Sequence, residues 1–351
     1  MTHVKRIKIT VALILTLVLT LTCSYATVIK AETNLHEELE RDTARTEAVE
    51  RMRIGFENFE ESIDISDLSI LPYELGKLFS DATKDTPYLF YVSNNLAYSY
   101  RAGGCVVAIK PRYSMGIAEA KAAVEYCKEE IRKMAGLICD RESDIERLVG
   151  AHDLICAYFS YDLSLESKNI YTFLQTGKGT CQGYTWTYMA LLRELGIECR
   201  YVASDTINHI WLAVKIDGEW YYSDVTWDDP PSAEESGIHS RAHLLFSDEK
   251  ADKDGYTNRY GAENIECQSK LYDGEEFLSQ IPLCVNIGDA DHDGTVTLRD
   301  LLLLRQSISN GVNMSIGICR LCANADLDRC IGESDVEQIR RLLLEQLSRD
   351  N

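Results

Sequence analysis

A chain of 351 residues, 45% hydrophobic and 26% charged, has the makeup of an ordinary folded protein with room for a large domain and a small one. Its formal charge of -20 repels nucleic acid and anionic lipid, so neither is expected as a partner. Twelve cysteines in so long a chain do not read as the disulfide framework of a small secreted scaffold.

Lys5, Arg6 and Lys8 precede an apolar run from Ile9 to Leu21, followed by short polar residues ending in SYA at Ala26 or VIKA at Ala31. That layout predicts a secretory signal peptide over 1–31, because the run falls short of the roughly twenty apolar residues of a membrane span. Thr20, Leu21 and Thr22 before Cys23 fit a lipidation box badly. The mature chain is expected outside the cell, more acidic still, and without a membrane span. Eleven cysteines then remain, an odd number, and Cys181 is the candidate for a free thiol. Cys105, Cys127, Cys139, Cys156 and Cys199 sit mostly in apolar or periodic stretches and read as small core residues.

Residues 32–140 read as a region of helix and strand. Spaced apolar residues predict a helix from Glu37 to about Phe56. The stretch TPYLFYVSNNLAYSYRAGGCVVAIKPRY turns to aromatic and β-branched residues around Gly103-Gly104, which predicts strands. GIAEAKAAVEYCKEEIRKMAGLI returns to helix. A core region over 141–250 follows, opening on a helix whose Ser143 and Glu146 form a capping box.

GKGTCQGYTWTYMALLRELG, residues 177–196, places Cys181 where small residues give way to another helix. Tyr184, Thr187, Tyr188, Leu191 and Leu195 fall on one stripe, and Gly196 stands where a left-handed cap belongs. At the helix start, free N–H groups and the positive end of the dipole favour a thiolate. A lone cysteine there is more often inert, so the site needs a base. NHIWLAVKI and EWYYSDVTW flank Asp217-Gly218, the signal for a two-residue hairpin. In that register Ile216 faces Glu219, Trp211 faces Asp224 and His209 faces Thr226. His209 and Asp224 are then diagonal neighbours on one face, roughly 7 Å apart at the α-carbons. Asp228 is the other diagonal neighbour, and spacing does not choose between them. His152 and His243 lack a carboxylate so placed and read as structural.

GTCQGYTWTYMALLRELGI, NHIWLAVKIDGEWYYSDVTWDDP and HLLFSDE together resemble the transglutaminase-like superfamily, related to papain-like cysteine enzymes, over Asp144 to about Phe246. The resemblance implies an α+β catalytic fold of helices and antiparallel sheet. It puts the nucleophile on Cys181, the base on His209 and the orienting carboxylate on Asp224, which favours Asp224 over Asp228. The activity it implies is acyl transfer through a thioester, resolved by water or by an amine. Where the family often has Asn three residues after the histidine, this chain has Leu212. Trp186, Trp211, Trp220 and Trp227 read as core aromatics more than as cleft walls.

After a linker and trim over 251–283, residues 284–349 change character. Asp289, Asp291 and Asp293 hold positions one, three and five of a twelve-residue loop, with Gly294 at six, the Thr295 carbonyl at seven and Asp300 at twelve. Hard oxygen ligands at this spacing suit Ca2+. A second set begins 35 residues on: Asn324, Asp326, Asp328, the Cys330 carbonyl and Asp335, with Arg329 at the glycine position. Each loop runs into a leucine-rich helix, but no helix is expected before it. Such a pair resembles a type I dockerin, a small all-α module that binds two Ca2+ and plugs secreted enzymes into cohesin domains of a cellulosome-like scaffold. By that resemblance Leu298, Arg299, Glu333 and Ser334 choose the partner. Cys319, Cys322 and Cys330 lack a fourth ligand at proper spacing for zinc.

Overall fold

The computed structural model describes residues 36, 38–136, 138, 143–230, 240–262, 264–274, 277–278, 288–291, 295–309, 320–323, 325 and 332–349. The expected signal peptide over 1–31, Cys139, Asp293, Cys319, Asn324, Asp326, Asp328 and Cys330 lie outside them. Two compact units emerge: one takes in Asn94–Arg112 with the chain up to Ala82, the other Thr83–Ser93 with the chain from Tyr113 onward.

In the first unit, a helix over 38–57 (α1) buries Ala48, Met52 and Phe56 at four-residue spacing, a single helical stripe. β1 (Ile63–Asp64), β2 (Ala97–Tyr100) and β3 (Val106–Lys110) form an antiparallel sheet in the order β1-β3-β2, with α2 at Leu75–Thr83. Gly103 and Gly104 both take positive φ, which lets the chain reverse between β2 and β3. The stretch before Ala97, expected to be strand, is turn and a single bridge at Val92.

The second unit is built around α6 (Cys181–Glu194), packed against α3 (Ile117–Gly136), α4 (Asp144–Tyr158), α5 (Ile170–Thr176) and the sheet β6 (Cys199–Ser204), β7 (His209–Ile216), β8 (Glu219–Ser223). α4 begins at the expected box: Ser143 accepts from the Glu146 N–H, and Glu146 accepts from Ser143 N–H. α6 buries more than a stripe, since Thr185, Met189, Ala190 and Leu192 are buried beside Tyr184, Thr187, Tyr188 and Leu191, while Leu195 is half-buried. A helix covered on most sides must be apolar on most sides, and each fully buried leucine stabilises by about 1.5–3 kcal/mol. Gly196 at φ 79° closes it, and the Ile197 N–H reaches back to the Leu192 carbonyl.

Asp217 and Gly218 at φ 52° and 86° make the tight turn the sequence predicts, with Ile216 opposite Glu219 and Leu212 opposite Ser223. Along β7, Leu212, Val214 and Ile216 enter the core shared with α3 to α6. Trp211 and Ala213 face the other way, into a second core with Val202, Tyr222, Phe246 and Tyr256. Beyond Ser223 the expected ladder fails: Asp224 caps a single turn, α7 (Val225–Asp228), and His209 is paired across β6 with Ser204. α8 spans Asp248–Asp254.

Farther on, α9 (Leu298–Ser309), α10 (Arg320–Ala323) and α11 (Glu333–Arg349) enclose a small core. It repeats at the sequence interval of the two loops: Ala290 with Ala325, Leu301 with Val336, Leu304 with Ile339. Cys127, Cys156 and Cys199 are buried as expected, and Cys105 is half-buried. Among the described residues no helix is long and apolar enough to cross a membrane.

Candidate active site

The segment before Cys181 is held from several directions. α5 is capped by Asn169, whose side chain accepts from the Thr172 N–H, and ends at Gly177 in the left-handed region. β5 (Lys178–Gly179) then pairs in parallel with β4 (Ser160–Tyr161), and the Thr180 N–H donates to the Ser167 carbonyl. Thr180 caps α6 without using its hydroxyl, so Cys181 opens a fourteen-residue helix at its positive end. The ring of Phe173 fills the space under this start. A Cβ on Gly179 would lie 2.3 Å from it and one on Gly183 2.9 Å, so both positions need glycine.

Side chains from successive turns of α6 fix it to the sheet and the turn beyond. The Thr185 hydroxyl donates to the Ile210 carbonyl at 3.0 Å, Tyr188 and Ser223 exchange a hydrogen bond at 3.2 Å, and the Tyr184 hydroxyl donates to Asp229 at 2.6 Å. The helix carrying the thiol is thereby registered against the strand carrying His209.

His209, 7% exposed, places Nε2 2.6 Å from Asp224 Oδ2. Asp224 is fully committed: Oδ1 accepts from the N–H groups of Thr226 and Trp227, and Oδ2 also accepts from the Tyr256 hydroxyl at 2.8 Å. The His209 ring stacks with both Trp211 and Trp227, nearly parallel to each, at centroid distances of 5.7 and 5.2 Å. Burial alone lowers the pKa of His209, but the Asp224 carboxylate and then the hydrogen-bonding Cys181 sulfur outweigh it and hold the imidazole charged up to about 10. Cys181 and His209 open onto one cavity of about 310 Å³, with Tyr161, Gln182, Tyr201 and Tyr260 among its walls. None of the four tryptophans lines it, in keeping with their reading as core.

Asp228, the alternative partner for His209, points elsewhere. Its Oδ2 lies 3.2 Å from His152 Nε2 and its Oδ1 3.0 Å from His243 Nδ1. This corrects the expectation that neither of those histidines has a carboxylate: α7 turns the chain so that its two ends serve different imidazoles. His152 is fully buried and so is no base for a substrate. Tyr256 had no signal in the sequence, falling just past HLLFSDE in the stretch read as linker and trim, one tyrosine among many.

Carboxylate oxygens of Asp289, Asp291 and Asp300 converge within 4.8 Å of one another, with Asp289 and Asp300 buried. The donor set, all hard oxygen, fits Ca2+. Asp300 also accepts from the N–H groups of Asp291 and Thr297, and Asp335 from that of Gly332. Both twelfth positions thus clasp the entry to their helix in the same manner. Thr295 is described but exposed.

Residues 133–225 match the model of the transglutaminase-like superfamily, a range that includes Cys181, His209 and Asp224. Kyphoscoliosis peptidase of Mus musculus is 27% identical over 114 residues, covering 27% of this chain and 17% of that protein. Its Homo sapiens counterpart is 26% identical over the same shares. The chain therefore spans about a sixth of these relatives' length. A solved structure described as a TGase overlaps 38% of this chain and 44% of its own at 12% identity, with a TM-score of 0.26. The chain carries a transglutaminase-like superfamily domain.

Proposed function

We propose that this protein is a secreted cysteine enzyme that cleaves peptide or amide bonds by acyl transfer, and that its C-terminal module is a calcium-dependent dockerin. The observation that carries the catalytic reading is the 2.6 Å contact of a buried His209 with Asp224, on a cavity that also exposes Cys181. Asp224 occupies Nε2, which leaves Nδ1 of His209 to take the thiol proton. The sulfur attacks the carbonyl carbon, and the backbone N–H of Cys181 at the helix start receives the developing oxyanion. His209 returns the proton to the departing amine and a thioester remains. Water then attacks, His209 takes its proton, and the acid leaves as the thiol is restored. The name of the curated relatives, a peptidase, favours water over an amine as acceptor.

Ca2+ supplies charge neutralisation for the C-terminal loops. Asp289, Asp291, Asp293, the Thr295 carbonyl and Asp300 would hold the first ion, and Asn324, Asp326, Asp328, the Cys330 carbonyl and Asp335 would hold the second. The partner is a cohesin domain of an extracellular scaffold, met by Leu298, Arg299, Glu333 and Ser334. Support comes from the converging carboxylates and the repeated core.

Incubation with casein, with and without a primary amine, tests the chemistry. New peptide termini are expected, and Cys181→Ala is expected to reduce them about 10⁴-fold or more. An Ala variant as active as the parent would end the thiol mechanism. Amine incorporation without new termini would replace hydrolysis by cross-linking, and no turnover of any substrate would leave a binding module.

A further inference from the structure

The catalytic reading leaves unused a chain of buried charges behind α7. Arg241 donates to both oxygens of Asp153, through Nε at 3.1 Å and through Nη2. Asp153 Oδ1 lies 3.2 Å from His152 Nδ1, and the other nitrogen of His152 meets Asp228. Asp228 receives His243 twice, at Nδ1 and at the backbone N–H, and the array ends beside the triad. His152, Asp153 and Asp228 are essentially inaccessible to water. Desolvating this many charges is costly, and replacing such an array by apolar residues often leaves stability unchanged or improves it. Its presence calls for a role beyond stability.

Geometry supplies one. The carbonyl of His243 accepts the backbone N–H of Asp224 at 2.8 Å. The His243 ring meets Trp227 edge-on at 5.5 Å, and the same indole stacks on His209 at 5.2 Å. Asp224 and Asp228 bracket a turn of only four residues. Fixing Asp228 and His243 therefore fixes the backbone of Asp224 and the indole that backs His209. Either neighbour, displaced by a few tenths of an ångström, would lengthen the contact to His209.

We propose that Arg241, Asp153, His152, Asp228 and His243 form a positioning array that holds Asp224 and Trp227 against His209. This rests on the proposed triad. None of the five touches substrate; they act through the orientation of the His209 ring. His152 stays charged to about 9, because Asp153 and Asp228 outweigh the effect of its burial, so His152 and Arg241 balance Asp153 and Asp228 through neutral pH. Two tyrosines face the array, Tyr256 beside Asp228 and Tyr188 beside Asp153, and burial pushes both phenols up.

The rate at which iodoacetamide alkylates Cys181, followed peptide by peptide from pH 5 to 10, reads the array without a known substrate. In the parent, an imidazolium-paired thiolate should react at pH 6 within about tenfold of its rate at pH 9, where an ordinary thiol would slow about 200-fold. His243→Ala is expected to slow alkylation at pH 7 about tenfold and to steepen the pH profile. His243→Asn, whose side-chain N–H can still donate to Asp228 but which lacks the ring against Trp227, should recover about threefold of the lost rate and flatten the profile part of the way back. Asp228→Asn keeps the side-chain volume and should behave as His243→Ala does, which covers failure of the alanine variant to fold. Variants that melt earlier but keep the parent profile would overturn the proposal. A parent whose Cys181 reacts as steeply with pH as an ordinary thiol would instead overturn the triad beneath it.

Discussion

His152 and His209 show how one residue type, buried twice, comes to carry charge for different reasons. Burial opposes the charge in both; two carboxylates outweigh it at His152, and Asp224 with the Cys181 sulfur outweighs it at His209. Each folded pKa, about 9 and about 10, lies above the unfolded value of about 6.5. Their contribution to stability is therefore complete below pH 6.5 and is lost as pH rises through 9 and 10. Asp228 has the opposite sign: its pKa is lowered because both histidines outweigh its burial, so its contribution is present above the ordinary carboxylate range and lost in acid. Thermal melting by circular dichroism should show its highest midpoint between about pH 5 and 6.5 and a steady fall from 7 to 9.5. A midpoint that stays level or rises over that alkaline range would refute the charged histidines. At this scale the sequence was partly readable. A helix start and a hairpin pointed to Cys181 and His209, but hairpin parity could not separate Asp224 from Asp228. That choice is made by α7, a four-residue turn too short to leave any periodicity in the text.

Among the elements, α6 does most to build the site, and its local sequence answers to packing as well as chemistry. Phe173 stacks on Phe159 at 4.3 Å between ring centroids and meets Tyr184 at 4.7 Å, so it has no room to withdraw. Its ring occupies the places where side chains at 179 and 183 would stand. In an unobstructed helix, alanine in place of glycine stabilises by up to about 1 kcal/mol. Gly183→Ala should reverse that sign and destabilise by about 1–3 kcal/mol, as overpacked cores do. Denaturant midpoints at constant slope will measure it, and a variant as stable as the parent would show that Phe173 is free to move. Gly179 was visible as a small residue in the loop before Cys181, and Gly183 as one more residue of the helix after it. Their reason was not, because it lies in a phenylalanine brought under them by the fold. The hairpin, in contrast, was legible from its turn out to Leu212 and Ser223, since Asp217-Gly218 dictates both the turn and the register, but the pairing expected beyond Ser223 gives way to α7.

Over the whole molecule, the dominant physical fact is negative charge, formally -20, and the C-terminal loops concentrate it. Three carboxylates with oxygens within 4.8 Å of one another, two of them buried, repel at close range and in a medium that screens poorly. A divalent cation among them turns that repulsion into attraction, and the helices that follow are anchored by the same Asp300 and Asp335 that would bind it. Calcium should therefore couple to folding of this module, with stability rising as the logarithm of its concentration above the dissociation constant. The core repeat, Ala290 to Ala325 and Leu304 to Ile339, has the same 35-residue interval as the two twelve-residue loops of the sequence and so argues for two ions. Calorimetric titration of the full chain should show two equivalents of Ca2+, and Asp300→Asn should remove one and leave the other. Chelation should lower the melting midpoint of the parent by several degrees and abolish binding to a cohesin domain. Binding that survives chelation would refute the dockerin, whereas calcium uptake without cohesin binding would keep the metal sites and remove the partner. Neither outcome touches Cys181, so docking and catalysis stand or fall by separate measurements.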